Sequence, residues 1–446
     1  MINKGFSIVP LHMLDRITDR FPSFAPSIFE KSFVSIAGSQ KVYSNILKKF
    51  QRKLKRIKSF ERILVIVDIN IGDAILIKQS LKVLKSYFPA SQIDYACSKQ
   101  CAELITGPDE TENIIGIFKK GGIPSREDIM ELKELIKMKD YTLILNLSPF
   151  INRHTLPLRQ VITLIVPFAY YIVHLWKLET EVMQLSSALS SFLHDFLTPV
   201  FVMDDIRPNK YMKYMNWEQF KGNTVYLTED SIKLALKFLF ENGIVNERLM
   251  LLNPDATIIY NLIPVETQKN IVRSVLQSGC VDKVLISSAY NFKKIEKQIT
   301  QGLSPELREK VVIVPHIPLD VYAALIDHCD VFLSGDTGPL HIAASWKKPL
   351  SRNFSLRNST AVVSVFGATD SRIYGYDSFQ AGHIPANQNA PSRAFSSEAP
   401  CRNITCINKS GKSCKEIRCF HNLDGERISS YIISYLKFLH DYRKAV

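Results

Sequence analysis

Residues 331–344, VFLSGDTGPLHIAA, pass from a short apolar run through Ser334-Gly335-Asp336-Thr337-Gly338-Pro339 into a segment with helical spacing. Strand, tight loop and helix start follow one another at once, which is the unit from which parallel sheets are assembled. The two glycines are expected to adopt φ > 0 and to let the backbone approach a ligand closely, while Asp336 or Thr337 caps the helix that carries His341. Such a helix turns its unpaired N–H groups toward whatever sits above the loop, which favours a phosphate or diphosphate. An ordinary strand-to-helix turn with a capping aspartate fits the same residues.

The same alternation recurs along the chain. Residues 62–68 hold a continuous apolar run of the length of a strand buried on both faces, 69–73 make a turn, and 74–88 carry helical periodicity through Ile75, Leu76, Leu81, Leu84 and Phe88. Strands are expected again at 92–97, 113–118 and 141–147, with a helix at 129–137. A second series begins with a strand at 249–253 and a helix at 266–277. It continues with a strand at 283–287, a helix near 293–301, a strand at 311–315, a helix at 319–327 and the strand into Asp336. Strands alternating with helices at this spacing mean βαβ units and parallel sheets. Ligands bind such sheets at the carboxyl ends of strands, where Gly72 and Asp73 fall. Asp73 suits two roles there, a general base facing the crevice or a cap for the helix expected from Ala74.

A chain of 446 residues is too long for one compact core. The expected division is a basic arm at 1–60, a Rossmann-like domain at 61–205, an interdomain region at 206–247, a second Rossmann-like domain at 248–425 and a closing helix at 426–446. Of the net charge of +13, +9 lies in residues 1–60, where 12 Lys or Arg face Asp15, Asp19 and Glu30. Residues 45–58, NILKKFQRKLKRIK, read as a basic amphipathic helix, suited to an anionic membrane surface or to packing on its own protein. The arm lacks regularly interleaved aromatics, so nucleic acid is not an expected partner. Without a secretory signal at the N-terminus the expected address is the cytoplasm. Residues 161–176 contain no Lys, Arg, Asp or Glu. They fall short of the ~20 residues of a membrane span and are expected to form a core helix, or one dipping into the lipid interface through Tyr170, Tyr171 and Trp176.

Taken together, Gly72-Asp73, the Asn253-Pro254-x-Ala256-Thr257 turn, Asp336-Thr337-Gly338-Pro339-Leu340-His341-x-Ala343-Ala344 and Val363-Ser364-Val365-Phe366-Gly367-Ala368-Thr369-Asp370 resemble the heptosyltransferase-type glycosyltransferases of GT-B fold. The resemblance covers roughly residues 61–430, and the last two motifs are its specific part. It implies two doubly wound domains facing across a cleft, and an inverting, metal-independent transfer from a nucleotide-sugar, typically ADP-heptose, to a glycolipid or glycan acceptor. Asp73 would be the general base; Asp336, Thr337, Gly338, Pro339 and Leu340 would hold the donor, with His341 supporting the loop and Thr257 touching a phosphate. Peripheral attachment to the inner membrane and work on a lipopolysaccharide-type acceptor follow from the same resemblance.

The chain also departs from that family. Tyr260, Asn261 and Leu262 stand where a Lys or Arg is usual, and the acid that would bind the ribose is missing near residues 287–291 unless Glu296 reaches back. Residues 350–361 add a polar, basic stretch in which Arg352 or Arg357 is a candidate replacement cation. Cys401, Cys406, Cys414 and Cys419, spaced C-x4-C-x7-C-x4-C, could hold a structural Zn or Fe, with reduced thiols as the alternative. No cofactor is expected for catalysis. Two other functions remain open, a transferase of the same fold with another donor or a protein acceptor, and a catalytically silent nucleotide-sugar-binding scaffold.

Overall fold

The computed structural model describes residues 60–67, 70–78, 81, 84–85, 88–108, 113–119, 123–146, 148, 151, 162–165, 223–256, 261–287, 297–367, 369, 371–380, 383–397, 418–420 and 422–445. The basic arm, Tyr170, Tyr171, Trp176, Thr257, Tyr260, Glu296, Cys401, Cys406 and Cys414 lie outside them.

The first half supplies β1 (Arg62–Ile66), α1 (Ile71–Lys78), β2 (Gln92–Ser98), α2 (Lys99–Ile105), β3 (Asn113–Phe118), α3 (Arg126–Lys139), β4 (Leu143–Asn146) and β5 (Ile162–Ile165). They form a sheet of order β3-β2-β1-β4-β5 in which every pairing is parallel. The second half begins with β6 (Thr224–Leu227), α4 (Glu229–Glu241), β7 (Leu249–Asn253), α5 (Val265–Gln277) and β8 (Lys283–Ser287). It continues through α6 (Pro305–Glu309), β9 (Val311–Val314), α7 (Leu319–Asp327), β10 (Val331–Gly335), α8 (Gly338–Ala344) and β11 (Trp346–Pro349). The last elements are β12 (Ala361–Phe366), α9 (Ser371–Tyr374), β13 (Ser392–Ser396) and α10 (Gly425–Ala445). Its main sheet runs β13-β12-β10-β7-β8-β9, again wholly parallel. Both sheets reverse direction beside their first strand, between β1 and β4 and between β7 and β10, and those reversals open the crevices where doubly wound folds bind ligands. The fold is GT-B, as the resemblance implies.

The central strands β7, β10 and β12 are buried along their whole length, which their uninterrupted apolar runs require. Two details depart from the sequence-based expectation. Residues 162–165 are a strand beside β4, not part of a helix, because Ile-Thr-Leu-Ile carries the β-branched bias of a sheet edge. Helix α1 starts at Ile71, with Ala74 N–H donating to Asn70 O at 3.0 Å, so Gly72 and Asp73 lie inside its first turn. Asp73 is therefore not the cap of a helix beginning at Ala74. Inside the region expected to separate the domains, β6 pairs with β11 and α4 packs on α7. Helix α10 packs on α5 of the second unit, with Ile428, Ile432 and Leu436 in that unit's apolar cluster.

The first unit meets the second through a buried face. Helices α1 and α2 lie against α8, α7 and β6, and one apolar cluster runs continuously from β1 and β2 into Leu325, Phe332 and Leu340. Two close approaches define the seam. A Cβ at Gly107 would fall 2.2 Å from the Tyr226 ring, and buried Lys78 donates to Ile105 O at 2.8 Å with its ammonium 5.6 Å from the centre of the same ring.

The polar stretch before β12 is structural. Arg357 donates to His328 O at 2.7 Å and pairs with buried Asp330 at 2.9 Å, its N–H goes to Asp327, and Asn358 turns in the left-handed region at φ 46° while its side chain grips both backbone groups of Lys347. Asp330 precedes β10, so Arg357 works at the amino end of the sheet, away from the carboxyl ends. Arg357→Ala is expected to lower stability by about 1–3 kcal/mol, because buried Asp330 loses its cationic partner and the His328 carbonyl a donor. In urea titration the midpoint should fall while nucleotide-sugar affinity stays unchanged. A loss of affinity would instead make Arg357 a phosphate ligand.

Candidate active site

Three carboxyl ends converge at the second sheet's reversal. Asn253, the last residue of β7, donates from Nδ2 to Ser334 Oγ at 3.1 Å, Asp255 O at 3.1 Å and Thr337 Oγ1 at 3.4 Å, and the two hydroxyls stand 2.8 Å apart. Thr337 is the residue before α8, yet its side chain makes no capping bond, because its hydroxyl is committed to Ser334 and Asn253. Beyond β7, Gln268 on α5 donates to Pro254 O at 3.0 Å and Ile263 O at 2.7 Å, pinning both sides of the turn.

Neither loop glycine takes φ > 0, contrary to expectation; among the described residues positive φ at glycine occurs at Gly243, Gly279 and Gly302. Space, not dihedral freedom, demands them. A Cβ at Gly335 would lie 2.1 Å from the Asn261 carbonyl oxygen, and one at Gly338 would lie 2.4 Å from Ile71 Cγ2 on α1. Asn261 thereby comes over the loop and donates from Nδ2 to Asp336 O at 3.0 Å and to Asp336 Oδ2 at 3.3 Å. Its Oδ1 is buried and has no partner among the described residues. Within the Tyr260-Asn261-Leu262 stretch, Asn261 thus holds the aspartate with a neutral amide.

His341, in the first turns of α8, faces three ways. Nδ1 lies 2.9 Å from the Tyr376 hydroxyl, Nε2 lies 4.0 Å from Asp336 Oδ1, and Cδ2 would be 2.4 Å from a Cβ at Gly72. The Asp336 loop and the helix bearing Asp73 are thus in contact, and Asp73 is adjacent to the contact residue. Burial pushes His341 down to about 3, keeping the imidazole neutral, and raises the Tyr376 phenol. Burial also pushes Asp336 up to about 6, opposed in part by the Thr369 hydroxyl. Asp336, Thr337, Gly338 and Pro339 keep partial exposure, whereas Leu340 is packed into the core. At the far end of α8, buried Lys347 closes the helix by donating to Ala343 O at 2.9 Å and Ser345 O at 3.0 Å; desolvation lowers it to about 8.

Cys419 is buried in the second apolar cluster, and among the described residues no three His, Cys, Asp or Glu side chains are grouped as metal ligands. Sequence reading missed Tyr376, which sits between Gly375 and Asp377 without a periodic or motif signal, and missed the Asn253–Ser334–Thr337 network. Asn253 at the end of an apolar strand was the available clue.

The raised Asp336 carboxyl has a consequence for stability. It ionises near 6 in the folded chain against an ordinary 3.8, so the folded chain holds the extra proton between those values. The contribution of this group to stability therefore declines as pH rises from 3.8 to 6 and stays low above that. Asp336→Asn keeps the shape and removes the penalty. Its melting temperature should exceed that of the unsubstituted protein at pH 7.5 and lose that advantage near pH 4.

The model of glycosyltransferase family 9 (heptosyltransferase) matches residues 221–410, which contain the whole Asn253–Asp336–His341 constellation. Lipopolysaccharide heptosyltransferase 3 of Escherichia coli K12 is 22% identical over 307 residues, covering 67% of this chain and 80% of that protein. A crystal structure of a family 9 glycosyl transferase from Veillonella parvula superposes with a TM-score of 0.52 at 16% identity, covering 85% of this chain and 97% of that chain. The ADP-heptose lps heptosyltransferase II of E. coli superposes at 0.48 with 12% identity, covering 85% of this chain and 99% of that one. With the motifs, the double Rossmann topology and the family match in agreement, the chain resembles the heptosyltransferase-type glycosyltransferases, and its residues 221–410 carry the family 9 match.

Proposed function

We propose that this enzyme moves heptose, or a related sugar, from an ADP-sugar to a lipopolysaccharide-type or other surface glycan acceptor, with inversion. The observation that carries the reading is the packing of α1 on α8, which sets Asp73 beside the loop of Asp336 and His341. In the reaction Asp73 takes the proton of an acceptor hydroxyl while that oxygen attacks the anomeric carbon. The bond from that carbon to the diphosphate breaks on the opposite side and ADP departs with the electron pair. Asp336, Thr337 and the first N–H groups of α8 hold the donor, and Thr257 adds a hydroxyl to the phosphate. No metal takes part in this scheme. A Zn or Fe on the C-terminal cysteines would be structural.

The chain then works in the cytoplasm, with its basic arm on the anionic inner membrane face. Among the described residues no helix is long and apolar enough to cross a membrane. A silent nucleotide-sugar-binding scaffold is the second reading, favoured by Asn261 in the stretch where a Lys or Arg is usual, with its Oδ1 unpaired among the described residues.

Calorimetric titration with ADP-heptose, ADP and other nucleotide-sugars separates the readings. Saturable binding lost in Asp336→Ala, together with an Asp73→Asn variant that binds donor normally but transfers 10²–10⁴-fold more slowly, is the expected result, on the order of a general base's contribution. Binding of an ADP-sugar without any turnover would favour the scaffold, and absence of binding by the folded protein would remove the donor-site assignment.

A further inference from the structure

Tyr376 is placed rigidly. Gly375 N–H donates to Ser371 O at 2.8 Å and Asp377 N–H to Ile384 O at 3.1 Å, while the Asp377 carboxylate accepts from Phe379 N–H at 2.8 Å and Ala394 N–H at 2.9 Å. The backbone on both sides of the tyrosine is therefore tied to the segment between β12 and β13. Its ring meets His341 edge to face, with centroids 5.8 Å apart and planes at 66°, and its hydroxyl reaches Nδ1 at 2.9 Å.

A buried neutral imidazole carries one proton, and its two neighbours decide where. With the proton on Nδ1, the Nε2 lone pair would face the Asp336 carboxyl, and the phenol would have no acceptor for its own proton among the described residues. With the proton on Nε2, the N–H points to the carboxyl side and Nδ1 accepts from the phenol, so both contacts are favourable. Gly72 closes the ring's other edge, since Cδ2 and Nε2 stand 2.4 and 3.1 Å from where a Cβ would be.

We propose that Tyr376 is a positioning residue of this site: by donating to His341 Nδ1 it fixes the Nε2–H tautomer and holds the ring between Asp336 and Gly72. The proposal rests on the reading of the Asp336 loop as the donor site. Tyr376 acts through His341, giving the site a neutral hydrogen-bond donor at a fixed place beside the aspartate. An imidazole without that bond would offer a lone pair there part of the time, and the loop would lose its alignment with α1.

The test is Tyr376→Phe, which keeps the ring and removes the hydroxyl. In ¹⁵N-histidine spectra the unsubstituted protein should show His341 as the Nε2–H tautomer and the variant a mixture. The variant's kcat should fall about 10- to 100-fold, the scale of a misaligned reacting group, with donor KM changed by less than about twofold. A merely structural role would lower melting temperature without altering the tautomer. An unchanged tautomer and rate in the variant, or an Nδ1–H tautomer in the unsubstituted protein, would overturn the proposal; the second reading needs no variant and decides the matter even if Tyr376→Phe does not fold. Failure of the donor-site reading would show differently, as the expected tautomer change in a protein that binds no nucleotide-sugar.

Discussion

Two bare backbones, Gly72 and Gly338, let the two halves of this transferase touch. A methyl at either would strike a side chain across the seam, His341 Cδ2 from one side and Ile71 Cγ2 from the other, each at 2.4 Å. Glycine is the residue that permits this approach, and tight packing leaves no slack to absorb another atom. Everything proposed for catalysis depends on that contact. The sheet reversals of both units come together there, and α1, which carries Asp73 next to Gly72, lies directly on α8.

The electrostatics of the loop follow from its neutral surroundings. Asp336 accepts from the Asn261 amide at 3.3 Å and has the uncharged His341 ring 4.0 Å away, so its burial is answered without an opposite charge. Such a carboxyl costs stability and is retained where function requires it. Arg357, one of the two arginines that the sequence offered as a substitute, is occupied on Asp330 at the opposite end of the sheet.

Much of this architecture was legible in the chain. The strands at 62–66, 249–253 and 331–335 are continuous apolar runs, and α7 coincides with its expected 319–327, because two-sided burial leaves the plainest pattern a sequence can carry. The short edge strand at 162–165 was hidden in a longer apolar segment where period says nothing about strand or helix. The glycines were noticed for the wrong reason: a sequence reports that a side chain is missing, not whether a dihedral or a neighbour requires it. Thr337 looked like a cap, but the Ser334 hydroxyl near the end of β10 and the Asn253 amide of β7 competed for it. Tyr376 left no local mark, since its partner is brought to it only by the crossover between β10 and β12.

The most direct test of the account is single-turnover sugar transfer by Gly72→Ala alongside its donor affinity. The added methyl should push α1 off the loop, so transfer should fall by about 10²-fold or more, while the nucleotide-sugar, held by the second unit, should bind with little change. Transfer at the unsubstituted rate would contradict the account, because it would mean that Asp73 reaches the reaction without the contact on which the rest of the structure depends.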